Sequence, residues 1–488
     1  MSEFRKIVRK TGKKDRKAER SYSWISHLHD FERGEDSFIP FEAFGSSLLA
    51  NFDEVMKEGV IFETPLREYE KSCDGVEVRW FARVEKVCGY RVLAQFVGSE
   101  AKLWVNFFSD DINSLANAST TDPTGNKFIY APPLNLNREY QNDMVNYINN
   151  IIDGEMVGQM ALSTAYDARK ENLHNPRFRV GQRLELLNYT NSREIRVARV
   201  QAICGRRINV LVTKKDFPEA LPPAEDDRQV LNPDAQYWID EASFFIFPVG
   251  WAAINGYNLS AKKDYIEHTK KIAECVKNGK PPKYDPDDVT FESLPKQKVD
   301  PNLWSQVKVE QRFELMDPLA QQFKNLHVAS IIRFCETDGY MIVGMDGSDR
   351  EEDSFPIHID NCFMFPVGYA QKHGLDLISP DTHENNFSWD SYLKEMNAEP
   401  LPLDLFKPMP SEERLEKFQV GMHLEAADMC ENQFVCPATI KSVHGRLINV
   451  NFDGWDEEFD ELYDIDSHDI LPIGWCELHD YTLQFPKK

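Results

Sequence analysis

Apolar and polar residues alternate along short stretches of this chain, and the same arrangement of stretches keeps returning. Near the C-terminus Ile448, Val450 and Phe452 share one face of a period-two strand that runs into Asp453-Gly454, a dipeptide that favours a tight turn. Comparable pairs of β-branched runs are IRVARVQAI then RRINVLV, LHVASII then YMIVGMD, and FVCPATIKSV then RLINVNF. Runs of this length, separated by Gly or polar turns, predict antiparallel strands of small barrels.

Three phrases frame those strand pairs in a fixed order. RLELLN, RFELMD and HLEAAD open them at residues 183, 312 and 423. FPVGW, FPVGY and LPIGW follow, placing Pro248, Pro366 and Pro472 at spacings of 118 and 106. GYNL, GLDL and DYTL come last. Such order at a near-constant period marks one folded unit copied along the chain. In the second phrase Pro fixes φ and Gly lets the backbone pass closely beneath the aromatic residue. Trp251, Tyr369 and Trp475 therefore read as structural. A fourth, divergent copy is expected over residues 21–139, where VRWFARVEKVCGYRVLAQFVG (78–98) repeats the strand–turn–strand pattern but no PVGW follows.

Helical periodicity intrudes between the units, in SWISHLHD (23–30), DMVNYINNIIDG (143–154), DYIEHTKKIAECVKNG (264–279) and SWDSYLKEM (388–396). Pro-rich stretches follow at 280–288 and 399–410. Free linkers have no use for Trp24, Tyr265, Ile266 or Trp389, so each segment is expected to be a helix plus an extended arm packed on a neighbouring barrel. The predicted fold is mainly β: four tandem small barrels with arms, stacked as one rigid assembly. Expected boundaries are a basic disordered arm at 1–20 and units at 21–139, 140–262, 263–383 and 384–488.

Charge narrows the partners. The chain of 488 residues has a net charge of −24, which disfavours nonspecific binding to a phosphate backbone and favours basic partners. Residues 5–20 run the other way, with nine basic and two acidic side chains, leaving −30 on residues 21–488. That arm suits nuclear import or a DNA contact, or else a solubilising tail. No apolar run is long enough to span a membrane, and the N-terminus lacks a secretory h-region. Nine scattered cysteines without a CxxC pair read as reduced thiols. No metal and no cofactor are expected, because no ligand spacing signals one. No P-loop, GxSxG or strand-borne GxGxxG is present, so the chain is not expected to be an enzyme.

The candidate chemistry lies in NVNFDGWDEEFDELY (449–463). Phe452, Trp455 and Phe459 fall near one spot within a shell of carboxylates, which suits a pocket for a cation. Each has a plainer reading. Phe452 alone suits a core position, Phe459 can staple the loop, and the acidic run can be a solvated face. Trp455, beside Gly454 and among acids, is poorly placed for a core and better placed for a pocket wall.

The order LEAxD, AT/ASI strand, FDGW, acidic loop, PxGWC resembles the malignant brain tumour (MBT) repeat, and four units with arms resemble the four-repeat MBT chromatin proteins, including the nematode synthetic-multivulva class. In that family the repeat binds lower-methylated lysine, usually on a histone tail, between an acidic residue and an aromatic cage, and members repress or compact chromatin. The resemblance places the pocket acid on Asp428 and the cage on Phe452, Trp455 and Phe459. It also puts Glu431 where an accessory polar residue, often Asn, is found, and Phe459 where Tyr is common. It implies a nuclear, chromatin-bound reader of methylated histone tails, histone three foremost, with other repressor proteins as further partners. The alternative is a methylation-independent scaffold of a repressor complex. The third unit keeps Asp317 but has Met345, Ser348 and Glu352 at the cage positions, and the second has Asn188 for the acid. In the first, Phe96 and Trp104 are candidates without an aligned acid. Asp428 can also cap a local turn.

Overall fold

Four long strands, Glu77–Cys88, Glu194–Cys204, Leu326–Phe334 and Val435–His444, each bend at one place. Pairing with the following strand slips between Val84 and Lys86, Val200 and Ala202, Ile331 and Arg333, and Ile440 and Ser442. An extra residue at a bulge bends a strand and sharpens its twist, so each sheet curls around its apolar face. The structure is a computed structural model. It describes residues 21–44, 55–69, 76–115, 127–134, 143–153, 162, 166, 176–189, 191–212, 236–294, 299–320, 322–337, 339–347, 350–380 and 387–486. The basic segment 5–20 lies outside these residues.

Each long strand pairs antiparallel with an opening strand on one side: Ile61–Pro65, Arg183–Leu187, Arg312–Leu315 or His423–Ala427. On the other side lies a return strand, Arg91–Phe96, Arg207–Val212, Tyr340–Met345 or Leu447–Phe452, and a fourth strand follows it. The GYNL and GLDL phrases supply strands Asn258–Ser260 and Leu377–Ile378, which run parallel to the long strand; Leu483 bridges Val435 in the same sense. The divergent first unit obeys the same plan. Its opening strand IFETP and its parallel strand FIY (Phe128–Tyr130) are the counterparts of phrases too altered to stand out in the sequence.

The glutamate shared by the opening phrases explains the PxGW phrase. Glu185 accepts the backbone N–H groups of Gly250 and Ala252 at 2.8 and 2.7 Å, Glu314 those of Gly368 and Ala370 at 2.7 Å, and Glu425 those of Gly474 and Cys476 at 2.8 Å. The three glycines adopt φ of +99°, +87° and +85°, which only Gly tolerates cheaply. The turn is thereby held by a buried carboxylate, and Trp251, Tyr369 and Trp475 are driven inward to 1–4% exposure. Burial raises the pKa of all three glutamates, that of Glu185 to about 7.

These short helices are also docking points. The turn at Gly89-Tyr90 lies on the fourth unit, with Tyr90 N–H on the Ile473 carbonyl at 2.8 Å. The turn at Gly445 lies on the third, where the Tyr369 hydroxyl donates to the His444 carbonyl at 2.8 Å. Tyr340 of the third unit packs edge-on against Trp251 of the second, 5.5 Å between centroids.

Arms complete the connection. Leu162, Val289 and Leu401 donate their N–H to the opening-strand carbonyls of Ile61, Arg183 and Arg312, each at 2.8 Å. Every one of these arms lies on the unit before it in the chain. The first arm lies instead on the fourth unit: Ile39 N–H donates to the His423 carbonyl at 3.2 Å. The helices at Ile25–Arg33, Met144–Asp153, Lys263–Lys277 and Trp389–Glu395 begin these arms as the periodicity predicts. Buried apolar clusters cross the unit boundaries; one joins Tyr90 and Val92 to Ile473 and Trp475. The units form one closed body rather than beads on a string.

Candidate functional site

In the fourth unit the opening strand ends at Ala427 and the chain turns on Asp428. One oxygen of its carboxylate, Oδ1, accepts the N–H groups of Cys430 and Glu431 at 2.8 and 2.7 Å. It is therefore a turn cap, as its residue type allows. Both bonds fall on the same oxygen, which leaves Oδ2 for a ligand. Burial raises the pKa of Asp428, while the two backbone bonds pull it down. Glu431 is exposed and contributes its N–H to that turn.

Across the sheet the return strand ends at Phe452. Gly454 takes φ +78°, and the Trp455 N–H closes the turn on the Phe452 carbonyl at 2.9 Å. A 3₁₀ turn at Glu457–Phe459 then brings Phe459 edge-on to Trp455, with ring centroids 5.3 Å apart and planes at 74°. The three aromatics are graded from core to solvent. Phe452 is 3% exposed and belongs to the barrel core, Trp455 packs against that core half-buried, and Phe459 is 41% exposed. Phe452 therefore stands at the core end of this row, and Trp455 and Phe459 form its outward pair.

A second acid stands beside Asp428. Glu461 is 4% exposed; its Oε2 accepts the Met429 N–H at 3.1 Å and the Tyr463 hydroxyl at 2.5 Å. Ligand atoms of Asp428, Cys430 and Glu461 lie within 4.8 Å of one another. Burial, then the charge of Asp428, pushes Glu461 up to about 7. The Cys430 thiol is raised by burial and by Glu461, so it stays protonated at neutral pH.

Part of the acidic run departs from the expected solvated face. Asp460, Glu461 and Asp464 are buried, and Asp464 meets the buried Arg446 guanidinium at 2.8 Å. Asp456, Glu457 and Glu458 alone of the run face solvent, and Glu457 pairs with Lys441 at 2.7 Å. The chain is pinned here because Asn451 donates to Asp460 at 2.5 Å, turning that side chain inward. Glu461 is consequently the acid that sequence reasoning missed in the site. Its burial has no sequence signal in a stretch of six carboxylates. The opening glutamates were missed too, although their recurrence in every opening phrase was a usable sign.

The other units offer different chemistry at the matching places. Asn188 donates to Glu194 at 3.1 Å, and Asp317 caps its own turn through the Leu319 N–H at 2.9 Å. Met345 sits opposite Ala329, Glu352 is exposed, and Ser348 lies outside the described residues. In the first unit Phe96 and Trp104 are half-buried against apolar clusters.

The sequence profile described as mbt repeat matches residues 182–266, 311–384 and 422–488. Over 488 residues the chain is 68% identical to Protein lin-61 of Caenorhabditis elegans, covering all of this chain and 80% of that one. The chain belongs to the MBT repeat family. Malignant brain tumor repeat protein 1 of the same nematode is 38% identical, with 96% and 87% of the two chains covered. Among solved structures, the four MBT repeats of Drosophila melanogaster Sfmbt, in complex with the peptide RHR(me)KVLR, superpose with a TM-score of 0.75 at 25% identity. That match spans 96% of this chain and 99% of the Sfmbt chain, so the divergent first unit is an MBT repeat in fold as well.

Proposed function

We propose that this chain reads lower-methylated lysine on basic histone-type tails through its fourth MBT repeat, with Asp428, Phe452, Trp455 and Phe459 as the pocket. The observation that carries the reading is the outward Trp455–Phe459 pair, 5.3 Å apart, in the same repeat as a carboxylate that keeps one oxygen for a ligand. A methylated ammonium is weakly hydrated, and each aromatic face within about 6 Å attracts it by roughly 0.5–2 kcal/mol. Asp428 adds charge and accepts a hydrogen bond from a mono- or dimethyl N–H, which trimethyl-lysine lacks. That chemistry favours lower methylation. Sfmbt, a relative in fold and sequence, was solved with a methyl-lysine peptide, which supports the same ligand class here.

The wider reading is of a nuclear chromatin protein without catalytic activity that acts in repression, with histone three tails as the favoured ligand. Exposed Asp456 and Glu458 suit the Lys/Arg-rich sequence around such a mark. A second reading, a methylation-independent scaffold, is supported by the second repeat, where Asn188 and Glu194 satisfy each other across the position of the acid. Titration of the full chain with histone-tail peptides carrying zero to three methyl groups separates the two. Methyl-dependent binding lost in Trp455→Ala is the expected result; equal binding by wild type and variant, whatever the methylation, would favour the scaffold.

A further inference from the structure

The first arm is held to the fourth repeat by a constellation of a different kind from those on the second and third. Arg183 and Arg312 begin the opening strands of those repeats. Arg183 meets Asp288 of the arm that lies on its repeat, and Arg312 meets Asp346 of its own repeat, which in turn accepts from the Tyr392 hydroxyl of the arm; both guanidinium contacts are 2.6 Å and permanently charged. In the fourth repeat the same position is His423. Its Nε2 lies 2.9 Å from Oδ1 of Asp36 on the first arm, and His27 of that arm brings Nδ1 to within 2.7 Å of the other oxygen. The two imidazole rings are 4.6 Å apart, with Trp24 and Phe38 packed around them.

Thr439 decides which groups donate. Its hydroxyl lies 2.7 Å from Oδ1 of Asp453 and 2.9 Å from Nδ1 of His423. A carboxylate only accepts, so the hydroxyl proton goes to Asp453 and the hydroxyl oxygen accepts from His423 Nδ1–H. Neutral His423 then turns the bare lone pair of Nε2 toward a bare oxygen of Asp36. Two acceptors at 2.9 Å need either a proton or a metal ion between them.

We propose that His27, Asp36 and His423 bind a divalent transition-metal ion of the Zn²⁺ class, which fastens the first arm to the fourth repeat and closes the ring of units. The three ligand atoms already lie within 4.8 Å of one another. Tetrahedral Zn²⁺, with bonds of about 2.0–2.2 Å, sets its ligand atoms about 3.3 Å apart. The 2.7 and 2.9 Å contacts fall on the two oxygens of Asp36, so on binding the carboxylate turns to present one oxygen and the ligand atoms draw to that spacing. Side-chain exposures of 30%, 14% and 12% leave room for water as the fourth ligand. Coordination uses the Nε2 lone pair of His423, Nδ1 of His27 and one carboxylate oxygen; the proton now on His27 Nδ1 passes by way of solvent to Nε2 of the same ring, so the imidazole stays neutral. Thr439 orients the far side of His423, as outer-shell partners of metal-bound histidines do. Through Thr439 the ion also steadies Asp453, the turn residue between Phe452 and Trp455.

Sequence spacing hides this trio because two ligands come from the first arm and the third from the last repeat. Equilibrium dialysis of the full chain against ZnCl₂ at neutral pH, with thermal melts in parallel, tests it on wild type, His27→Ala and Asp36→Asn. The wild type is expected to bind one Zn²⁺ more per chain than either variant, with site affinity falling at least about tenfold in both. Zn²⁺ should raise the wild-type melting temperature and leave those of the variants unmoved. Co²⁺ in place of Zn²⁺ should give visible d–d bands without thiolate charge transfer, which distinguishes this site from the cysteines. Equal Zn²⁺ uptake and equal thermal shifts in all three proteins would overturn the proposal. So would stabilisation by mild acid alone with no metal taken up, since a proton would then occupy the gap.

Discussion

The indole N–H of Trp24 donates to Oε1 of Glu425 at 3.0 Å, across 401 positions of sequence. Trp389 makes the same bond to Glu314 at 2.8 Å, from an arm to the repeat just before it. The first pair closes the ring by joining the beginning of the described chain to its last repeat. Glu425 meanwhile holds the turn that buries Trp475, so one carboxylate connects arm, strand and helix.

Trp24→Ala is therefore expected to lower global stability by about 3–5 kcal/mol, the range for truncating a large buried aromatic. Trp24 is 3% exposed, whereas Trp389 is half-buried, so Trp389→Ala should cost less. Urea denaturation of both variants checks the order. A larger loss for Trp389→Ala would contradict the closure of the ring through the first arm.

Two aromatic residues only 16 positions apart, Phe459 and Trp475, are expected to respond in opposite ways. Phe459→Ala should leave stability within about ±0.5 kcal/mol, as for an exposed position, yet weaken methyl-lysine peptide binding by a factor of about 2–30. Trp475→Ala should cost about 3–5 kcal/mol, because that ring is 4% exposed and packs on Tyr481 and His479. Calorimetric titration and thermal melts on the two variants separate the roles.

Glu461 carries a pH dependence. Burial and Asp428 raise its folded pKa from 4.5 to about 7. The sign follows directly: its contribution to stability is fully present below about 4.5 and is lost as pH rises through about 7. A cation in the site favours the ionised form, so methyl-lysine affinity should rise over the upper part of that window. In Glu461→Gln one amide oxygen can still accept from Met429 and Tyr463, but the charge is gone. Both pH dependences should flatten, and urea midpoints and peptide affinities measured on either side of neutrality report it.

The turn at Gly445 tests how the fourth repeat meets the third. A Cβ there would lie 2.7 Å from the Tyr369 hydroxyl and from the His373 ring, at φ +67°. At Gly421, φ +88°, a Cβ would meet nothing within 4 Å. Gly421→Ala should cost the left-handed backbone strain alone, about 1–2 kcal/mol, and Gly445→Ala clearly more. Equal losses would mean that the Gly445 turn gives way without disturbing Tyr369.

Period-two alternation, the recurring phrases and the helical arms were legible in the sequence because they reflect local chemistry. Strands such as Leu447–Phe452 need alternating faces, a left-handed turn needs Gly454, and Trp251, Tyr369 and Trp475 need burial wherever the unit is copied. The basic segment 5–20 and Ser348 lie outside the described residues, so they remain expectations. What the sequence could not disclose is partnership at a distance. The first arm rests on the fourth repeat through Ile39 and Trp24, whereas the three later arms lie on the repeats just before them, and nothing local to residues 21–44 signals that difference. Glu461 reads as one acid among six until packing against Met429 and Tyr463 removes it from water. His27, Asp36 and His423 become neighbours only through that same closure, since burial and proximity are properties of the assembled ring, whereas propensity belongs to each residue and its nearest neighbours in the chain.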